Sequence, residues 1–293
     1  MVMGELQQET DLLVIGSGPG GYAAAFRAAD LGLDVTMADS AQRPGGVCLF
    51  KGCIPSKTFL FLSELIYDAR RAERMGITFG QPRIDLQALR DWKANVIDTM
   101  ANGLVSLSNR RGVQLLQGRA QFESADTARL SDCEVSHIKF QHAIIATGSR
   151  PIPFPGTDFK PGGRIMSSTG ALALADVPAD LLIIGGGYVG LELGTVYAAL
   201  GSRVRLVELE DRLLPGVDQD LVEPLHRRLE AIFKSIHLKT KVVSMQETDD
   251  GVVVLLEGDV DTPEQRFDRV LVAIGRKPAS ADMGLENTRI ELD

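Results

Sequence analysis

Cysteine, tryptophan and histidine are scarce in this chain of 293 residues, which contains three cysteines, one tryptophan and four histidines. Three cysteines are too few for a disulfide-stapled scaffold, and in a cytosolic protein a disulfide would serve catalysis or redox sensing. The 31 Lys and Arg residues are scattered and are outnumbered by 39 Asp and Glu, giving a net charge of −8. Because no basic stripe is present, the composition argues against nucleic acid as a partner.

Signals for secretion or membrane insertion are also missing. The first residues, MVMGELQQETD, carry acids and lack the basic and apolar regions of a signal peptide. The longest apolar run, residues 181–200, contains Glu192 and five glycines, so it predicts a buried strand and helix rather than a membrane span. We therefore expect a cytoplasmic protein with no membrane partner.

Glycine is in excess, and much of it lies in a pattern that occurs twice. The stretches LLVIGSGPGGYAAAFRAADLGLDVTMAD (12–39) and LLIIGGGYVGLELGTVYAALGSRVRLVE (181–208) both run from an apolar strand through G-x-G-x-x-G into a helical pattern. Each then shows a second apolar strand that ends in an acid 23 residues past the first glycine. The motif residues are Gly16, Gly18, Gly21 and Asp39 in the first copy, and Gly185, Gly187, Gly190 and Glu208 in the second.

This spacing is typical of dinucleotide binding. The first glycine permits a tight turn, the second lets the backbone approach a pyrophosphate, and the third lets helix and strand pack closely. The helix N-terminus then faces phosphate charge, and the acid accepts hydrogen bonds from a ribose. Two such units in order predict two dinucleotide sites.

The predicted fold is α/β, with two Rossmann-like dinucleotide-binding domains. We expect the first domain at 1–150, the second at 151–278, and a return to the first at 279–293. Residues 58–111 carry apolar positions at helical spacing, which predicts helices with solvated faces. Short β-rich runs in 112–141 and 239–272 predict small antiparallel additions; they include VQLLQG, GVVVLLEG and RVLVAIG.

The segment GGVCLFKGCIPSK (45–57) places Cys48 and Cys53 five positions apart, directly after the first unit. A metal site would need further ligands that nothing nearby supplies, and a structural disulfide across so short a loop would constrain little chain entropy. The favoured interpretation is a reactive pair. Pro55 suits a first helical turn, so Cys53 is expected near a helix N-terminus, where a thiolate is stabilised, with Lys57 one turn further on. Cys133 stands alone and predicts a strand or turn residue.

The chain resembles the dihydrolipoyl dehydrogenases, a branch of the flavin disulfide reductases, from Asp11 to Asp293. The resemblance rests on the motifs GSGPGGYAAA, GGVCLFKGCIPSK, IIATGSRP, GGGYVGLELGTVYAALGS, DRLLPGVD and VLVAIGRKP. It implies bound FAD and NAD, and oxidation of dihydrolipoamide to lipoamide with reduction of NAD+ to NADH. Mercuric or glutathione-type reductases, and a nucleotide-binding fragment without turnover, stay as alternatives.

The resemblance also implies roles for individual residues. Cys48 would be the thiol that exchanges with dihydrolipoamide, Cys53 would lie against the flavin, and the two would form the redox disulfide. Lys57 would approach flavin N5 and pair with Glu192. The implied FAD contacts are Gly16, Gly18, Gly21, Asp39, Gly46, Lys57, Ala120, Thr147 and Gly148. The implied NAD contacts are Gly185, Gly187, Tyr188, Gly190, Glu208, Val242, Ala273, Gly275 and Arg276.

Four residues depart from the family pattern. Asp39 replaces the commoner glutamate and should still reach the ribose. Tyr188 replaces an aliphatic residue, and it could gate the nicotinamide pocket or simply pack. Phe50 and Lys51 replace the usual Asn and Val, which would alter access to Cys48 in a direction that the sequence leaves open. Glu208 favours NAD over NADP, because a carboxylate repels a 2′-phosphate.

Partners follow from the same resemblance. We expect dihydrolipoamide carried on a lipoyl domain of an acyltransferase or of a glycine cleavage carrier protein, and a homodimer in the full-length family. No His-Pro dipeptide occurs in the sequence, whereas the family's C-terminal interface domain supplies one as its acid/base histidine. We therefore expect the chain to be the N-terminal part of such an enzyme.

Overall fold

The computed structural model describes residues 6–291, so the first five and last two residues of the expected domains lie outside it. The described chain divides into two compact units. The first contains residues up to Cys53, Asn95–Arg150 and Pro278 onward; the second contains Ile54–Ala94 and Pro151–Lys277. The chain passes from the first unit to the second after Arg150 and back to the first after Lys277.

The first unit is built on a six-stranded sheet. The elements in the first part of the chain are β1 (Leu6–Ile15), α1 (Pro19–Asp30), β2 (Val35–Asp39), α2 (Gly46–Lys51), α3 (Cys53–Ala72), α4 (Leu86–Arg110), β3 (Gln114–Gln117), β4 (Arg119–Phe122), β5 (Thr127–Ser131), β6 (Val135–Ile145) and β7 (Ser149–Pro151). The strand order is β3-β2-β1-β6-β5-β4. Strands β3, β2, β1 and β6 are parallel, and β4, β5 and β6 pair in antiparallel fashion.

The second unit repeats the parallel arrangement. Its elements from residue 165 onward are β8 (Ile165–Met166), α5 (Ser168–Ala173), β9 (Asp180–Ile184), α6 (Tyr188–Leu200), β10 (Arg203–Val207), α7 (Gln219–Glu230), β11 (Ser235–His237), β12 (Lys241–Thr248), β13 (Gly251–Glu257), β14 (Glu264–Phe267), β15 (Arg269–Val272) and β16 (Arg276–Pro278). A parallel sheet has the order β11-β10-β9-β15-β8, and an antiparallel sheet has the order β12-β13-β14. Two short 3-10 helices, Glu73–Met75 and Leu285–Asn287, complete the described chain.

The α/β fold with two Rossmann-like units is confirmed, but two of the three short runs were wrongly expected to be antiparallel. VQLLQG forms β3, which lies parallel to β2 after a helical crossover. RVLVAIG forms β15, which lies parallel between β9 and β8. Its residues are buried on both faces, as central parallel strands are, and this explains the unbroken apolar run. GVVVLLEG forms the antiparallel strand β13 as predicted.

Residues 54–94 differ from the expected division, because they pack in the second unit and not in the first. Phe59 on α3 is buried in the core of the second unit, and Leu60, Leu62 and Leu86 pack against that core. The helical pattern of this segment was predicted correctly. Helical periodicity does not predict which core the apolar face of a helix covers, because that depends on tertiary packing.

Alternate residues of the first strand in each unit enter two different cores. In β1, Leu13 and Ile15 pack on one side of the sheet, while Leu12 and Val14 pack on the other. Strand β9 has the same arrangement, and α6 follows it, so residues 181–200 are a buried strand and helix as predicted. Across residues 6–291 the structure contains no helix of the length and apolarity that a membrane crossing requires.

We predict that Gly190→Ala destabilises the second unit, because a Cβ there would lie 2.3 Å from the Gly185 carbonyl oxygen. Overpacking of this kind costs about 1–3 kcal/mol. Gly187→Ala is the matched control, since apart from Gly187 and its two chain neighbours no described residue has an atom within 4 Å of the added Cβ. Urea unfolding of the two variants checks this, and equal midpoints would contradict it.

Candidate functional site

The first glycine motif forms a turn that admits no side chain at two of its positions. Gly16 has φ +101°, and a Cβ there would lie 2.3 Å from the Ala146 carbonyl oxygen. A Cβ on Gly21 would lie 1.8 Å from the carbonyl oxygen of Gly16. Gly18 is the N-cap of α1, so the helix begins without a capping side chain. Gly46 lies against this turn, where its own Cβ would come within 2.6 Å of the Gly18 Cα.

Asp39 at the end of β2 closes this loop. Its Oδ2 accepts hydrogen bonds from the Ser17 backbone N–H and from the Ser17 hydroxyl, both at 2.7 Å, and Oδ1 accepts from the Ala41 N–H at 2.8 Å. These hydrogen bonds hold the carboxylate beside the glycine turn, which is the position that the sequence motif predicts.

A cavity of about 380 Å³ opens beside Asp39 in the first unit. Four predicted contacts line it, namely Gly16, Asp39, Ala120 and Thr147. Gly148 has φ +72° and its carbonyl accepts the Ala279 N–H at 2.9 Å, so it shapes the adjoining turn. The sequence reasoning missed Arg119 and Arg150, which also line the cavity. Arg119 precedes the predicted contact Ala120, and Arg150 lies three residues after the predicted contact Thr147, so this closeness in sequence was the available signal.

The second motif has the same geometry. Gly185 has φ +109°, and a Cβ there would lie 2.5 Å from the Ala273 carbonyl oxygen. Gly187 is the N-cap of α6, which again begins without a capping side chain. Glu208 at the end of β10 accepts the Gly186 N–H through Oε2 and the Glu210 N–H at 2.9 Å through Oε1. The N–H that follows the first glycine thus meets the acid in both units.

A larger cavity of about 820 Å³ lies over this second motif. The predicted contacts that line it are Gly185, Gly187, Tyr188, Glu208, Val242, Ala273, Gly275 and Arg276. Gly190 does not line the cavity, because it is buried in the turn and helix packing of the motif. Leu209 and Lys241 line it too and were missed, although each is a chain neighbour of a predicted contact.

Tyr188 belongs to two cavities. It lines the large cavity and a further one of about 510 Å³, whose walls include Phe61, Glu192 and Thr195. Its side chain is 63% exposed. So open a position does not suit simple packing, and the gating role stays a prediction.

The cysteine segment forms two consecutive helices divided at Gly52. Cys48 lies in α2 and is half-buried, whereas Cys53 is exposed and is the first residue of α3, with Pro55 in the first turn. The expected position of Cys53 at a helix N-terminus is confirmed. Cys133 lies in the turn between β5 and β6 and packs partly against the core, as predicted. Within residues 6–291, no group of three His, Cys, Asp or Glu side chains is placed to hold a metal ion.

Tyr22 on α1 responds to both cysteines. Burial raises the pKa of the Tyr22 phenol, and the negative charges of the Cys48 and Cys53 thiolates raise it further. The sequence reasoning did not single out Tyr22. The charges of both sulfur atoms therefore oppose ionisation of the Tyr22 phenol.

In the second unit, Lys57 on α3 and Glu192 on α6 form the expected ion pair. Lys57 Nζ lies 2.8 Å from Glu192 Oε1 and 3.0 Å from Oε2, and the Ser56 hydroxyl donates to Oε2 at 3.1 Å. The Lys57 side chain is 56% exposed and that of Glu192 is 25% exposed. Because the Glu192 side chain is the less exposed of the two, its carboxylate has the more restricted position, and it holds the Lys57 ammonium group from α6.

An acid-closed glycine turn in each of two α/β units, with a cysteine pair after the first turn, is the arrangement typical of dinucleotide-binding redox proteins. Residues 10–293 match the family model of the pyridine nucleotide-disulphide oxidoreductases. The chain belongs to this family.

Individual relatives share this organisation. The chain is 41% identical over 297 residues to a dihydrolipoyl dehydrogenase of Halobacterium salinarum, covering 99% of this chain and 62% of the relative. It is 42% identical over 287 residues to a dihydrolipoyl dehydrogenase of Haemophilus influenzae, covering 97% and 60%. The chain thus spans about three fifths of the length of these relatives.

Solved structures give the same picture. LpdA from Mycobacterium tuberculosis superposes with a TM-score of 0.85 at 26% identity, covering 97% of this chain and 62% of that one. The HOCl-induced flavoprotein disulfide reductase RclA from Escherichia coli superposes with a TM-score of 0.80 at 25% identity, covering 97% and 60%.

We predict that replacing both Cys48 and Cys53 by serine lowers the pKa of Tyr22, because the negative thiolates that oppose a phenolate are removed. The pKa should stay above its ordinary value, since burial is the larger cause. Ultraviolet titration of the variant, with and without Tyr22→Phe, isolates this phenol. Cys133→Ser is the control, and an equal downward shift in that variant would contradict the assignment.

Proposed function

We propose that this chain carries the nucleotide-binding and dithiol centres of a dihydrolipoyl dehydrogenase. The observation that carries the proposal is a combination of features in one chain. It has two glycine turns, each hydrogen-bonded to an acid, and a cysteine pair whose second member, Cys53, begins a helix. The whole reaction would oxidise dihydrolipoamide to lipoamide and reduce NAD+ to NADH.

The first unit is the proposed FAD site. Its fit rests on the glycine turn, which leaves backbone close to the cavity, and on α1, whose N-terminus is capped only by Gly18. Backbone N–H groups at a helix N-terminus suit a pyrophosphate. Asp39 lies at the cavity wall, within reach of a ribose hydroxyl there. When bound, FAD would supply two-electron transfer between the thiols and a pyridine nucleotide.

The second unit is the proposed NAD site. Gly187 leaves its surroundings open: apart from Gly187 and its two chain neighbours, no described residue has an atom within 4 Å of where its Cβ would be. A pyrophosphate can therefore approach the start of α6 closely. Glu208 lines the cavity and offers a carboxylate to a ribose 2′-hydroxyl, while repelling a 2′-phosphate. The remaining predicted contacts with NAD are proposed on the same cavity.

The cysteines would carry out thiol–disulfide exchange. One thiol of dihydrolipoamide attacks Cys48 of a Cys48–Cys53 disulfide, and the second thiol then displaces Cys48, so that lipoamide forms its ring disulfide. Two electrons and two protons leave the substrate, and the protein gains two thiols. Cys53 is the first residue of α3, and it is proposed as the sulfur that lies against the flavin.

Lys57 and Glu192 are the proposed charged pair of the redox centre. Glu192 fixes the ammonium group through both carboxylate oxygens and is itself held by Ser56. A lysine held by two oxygens in this way keeps its direction. The predicted approach of Lys57 to the flavin is part of the proposal.

The partner proposal is a lipoyl group carried on a protein domain, together with homodimer formation. The names of the relatives support it, since each is a dihydrolipoyl dehydrogenase of greater length. The cytoplasmic location expected from the sequence stays a prediction.

The first test is an anaerobic titration of the purified chain, supplied with FAD, using dihydrolipoamide and then NAD+. We expect two additional alkylatable thiols per chain on reduction, followed by NADH formation at 340 nm. Cys48→Ser and Cys53→Ser should abolish both signals, because either change removes the disulfide. Cys133→Ser should leave both intact.

Two outcomes would redirect the proposal. Nucleotide binding without any thiol change would identify a nucleotide-binding protein without turnover. Thiol formation from NADPH with turnover of glutathione disulfide or Hg(II), and none from dihydrolipoamide, would place the chain in another reductase branch.

We further predict that Glu208→Gln weakens NADH binding about tenfold, the usual effect of losing one hydrogen bond to a charged group. Discrimination against NADPH should narrow, because the repelling charge is gone. Isothermal titration with both nucleotides measures this. Asp211→Asn makes the same change in net charge at an exposed neighbouring position and should leave both affinities unchanged. An unaltered NADH affinity in Glu208→Gln would remove the ribose contact from the proposal.

A further inference from the structure

The helix that carries Cys48 is too short to hold its own position. Helix α2 has six residues, whereas isolated helices shorter than about 12 residues are marginal in water. Its location depends on contacts with the rest of the first unit, beginning with the packing of Gly46 on Gly18 at its start. The first side-chain anchor is Leu49, which is 4% exposed.

The second anchor is Phe50. The guanidinium carbon of Arg43 lies 5.7 Å from the centre of the Phe50 ring, within the range of a cation–π interaction. Arg43 is held in turn by α4: its Nη2 donates to Asp98 Oδ1 at 2.7 Å, and its Nη1 reaches Asn102 Oδ1 at 3.5 Å. Arg43 therefore ties the short helix to a helix of 25 residues.

These anchors lie on the opposite side of α2 from the sulfur atom. A helix turns about 100° per residue, so Leu49 and Phe50 share one side while Cys48 and Lys51 point away from it. Any movement of the anchored side is transmitted to Cys48. Its distance from Cys53 matters because a disulfide needs the two Cα atoms within about 4.4–6.8 Å.

We propose that Arg43 is a positioning residue for the Cys48–Cys53 pair. By linking the Phe50 ring to α4, it fixes the helix that carries Cys48 at a distance from Cys53 at which the disulfide forms and opens readily. This inference rests on the proposed thiol–disulfide function of the pair. Arg43, Phe50 and Asp98 would thus be specific requirements of this chain, in which Phe50 and Lys51 stand where the family has Asn and Val.

The energetic contribution of Arg43 to folding is small. Its side chain is 37% exposed and that of Asp98 is 54% exposed, and ion pairs this exposed add little to global stability. Variants of Arg43 should therefore fold. An effect on the cysteines can then be separated from an effect on stability.

The experiment is a redox titration of the full chain in buffers of oxidised and reduced dithiothreitol. In this exchange the protein dithiol gives two electrons and two protons to oxidised dithiothreitol, which becomes reduced as the Cys48–Cys53 disulfide forms. Alkylation followed by peptide mass measurement gives the disulfide fraction at each ratio. We expect Arg43→Ala to lower the equilibrium constant for disulfide formation about three- to tenfold, the combined effect of losing a cation–π contact and an ion pair.

Companion variants test the route of the effect. Phe50→Ala should give a similar decrease, and the double variant should add little, because both changes break the same link. Arg43→Lys keeps a cation over the ring and beside Asp98, so it should restore the constant to within about twofold of the unchanged protein.

Arg111 offers a matched control in the same unit. Its guanidinium carbon lies 5.1 Å from the Phe26 ring centre, and its Nε donates to Asp30 Oδ1 at 3.0 Å, so it makes the same two kinds of contact without involving α2. Arg111→Ala should change the urea midpoint about as much as Arg43→Ala does and leave the disulfide constant unchanged.

The possible failures are distinguishable. If the unchanged protein forms no Cys48–Cys53 disulfide at any ratio, both the redox function and the role of Arg43 are overturned. If it forms the disulfide and Arg43→Ala matches it, or matches Arg111→Ala, only the role of Arg43 is overturned.

Discussion

The architecture depends on one hydrogen bond that each unit makes between a carboxylate and a backbone N–H. Asp39 accepts the N–H of Ser17, and Glu208 accepts that of Gly186. The bond joins the end of the second strand to the turn that follows the first, so both edges of the nucleotide cavity are set together. A ligand ribose would meet a carboxylate that is already oriented, which lowers the entropic cost of binding.

The two units differ in the elements that surround this hydrogen bond. The first supplies the cysteine helices and an antiparallel extension of its main sheet, with a cavity that two arginines help to line. The second adds a separate antiparallel sheet, an open aromatic side chain and a larger cavity. The same backbone solution therefore serves two sites of different size and chemistry.

Sequence reasoning reached whatever a local pattern determines. The glycine spacing predicted both turns, and Pro55 predicted the start of α3. The fixed distance from the first glycine to an acid identified Asp39 and Glu208. It failed where the answer lay in tertiary packing: the parallel pairing of β3 and β15, and the core that covers α3. The roles of Tyr22, Arg43 and Asp98 were not predicted for the same reason, since they depend on interactions between segments that are distant in the sequence.

Tyr188 has a thermodynamic consequence because its ring forms part of two cavity walls. A molecule that fixes the ring from the smaller cavity alters the shape of the larger one, and a nucleotide in the larger cavity does the reverse. By reciprocity, each changes the affinity of the other by the same factor. Ligands that fixed the Tyr188 ring in different positions would therefore make the two cavities one linked system, in which a compound in the smaller cavity would act on nucleotide affinity without occupying the nucleotide's place.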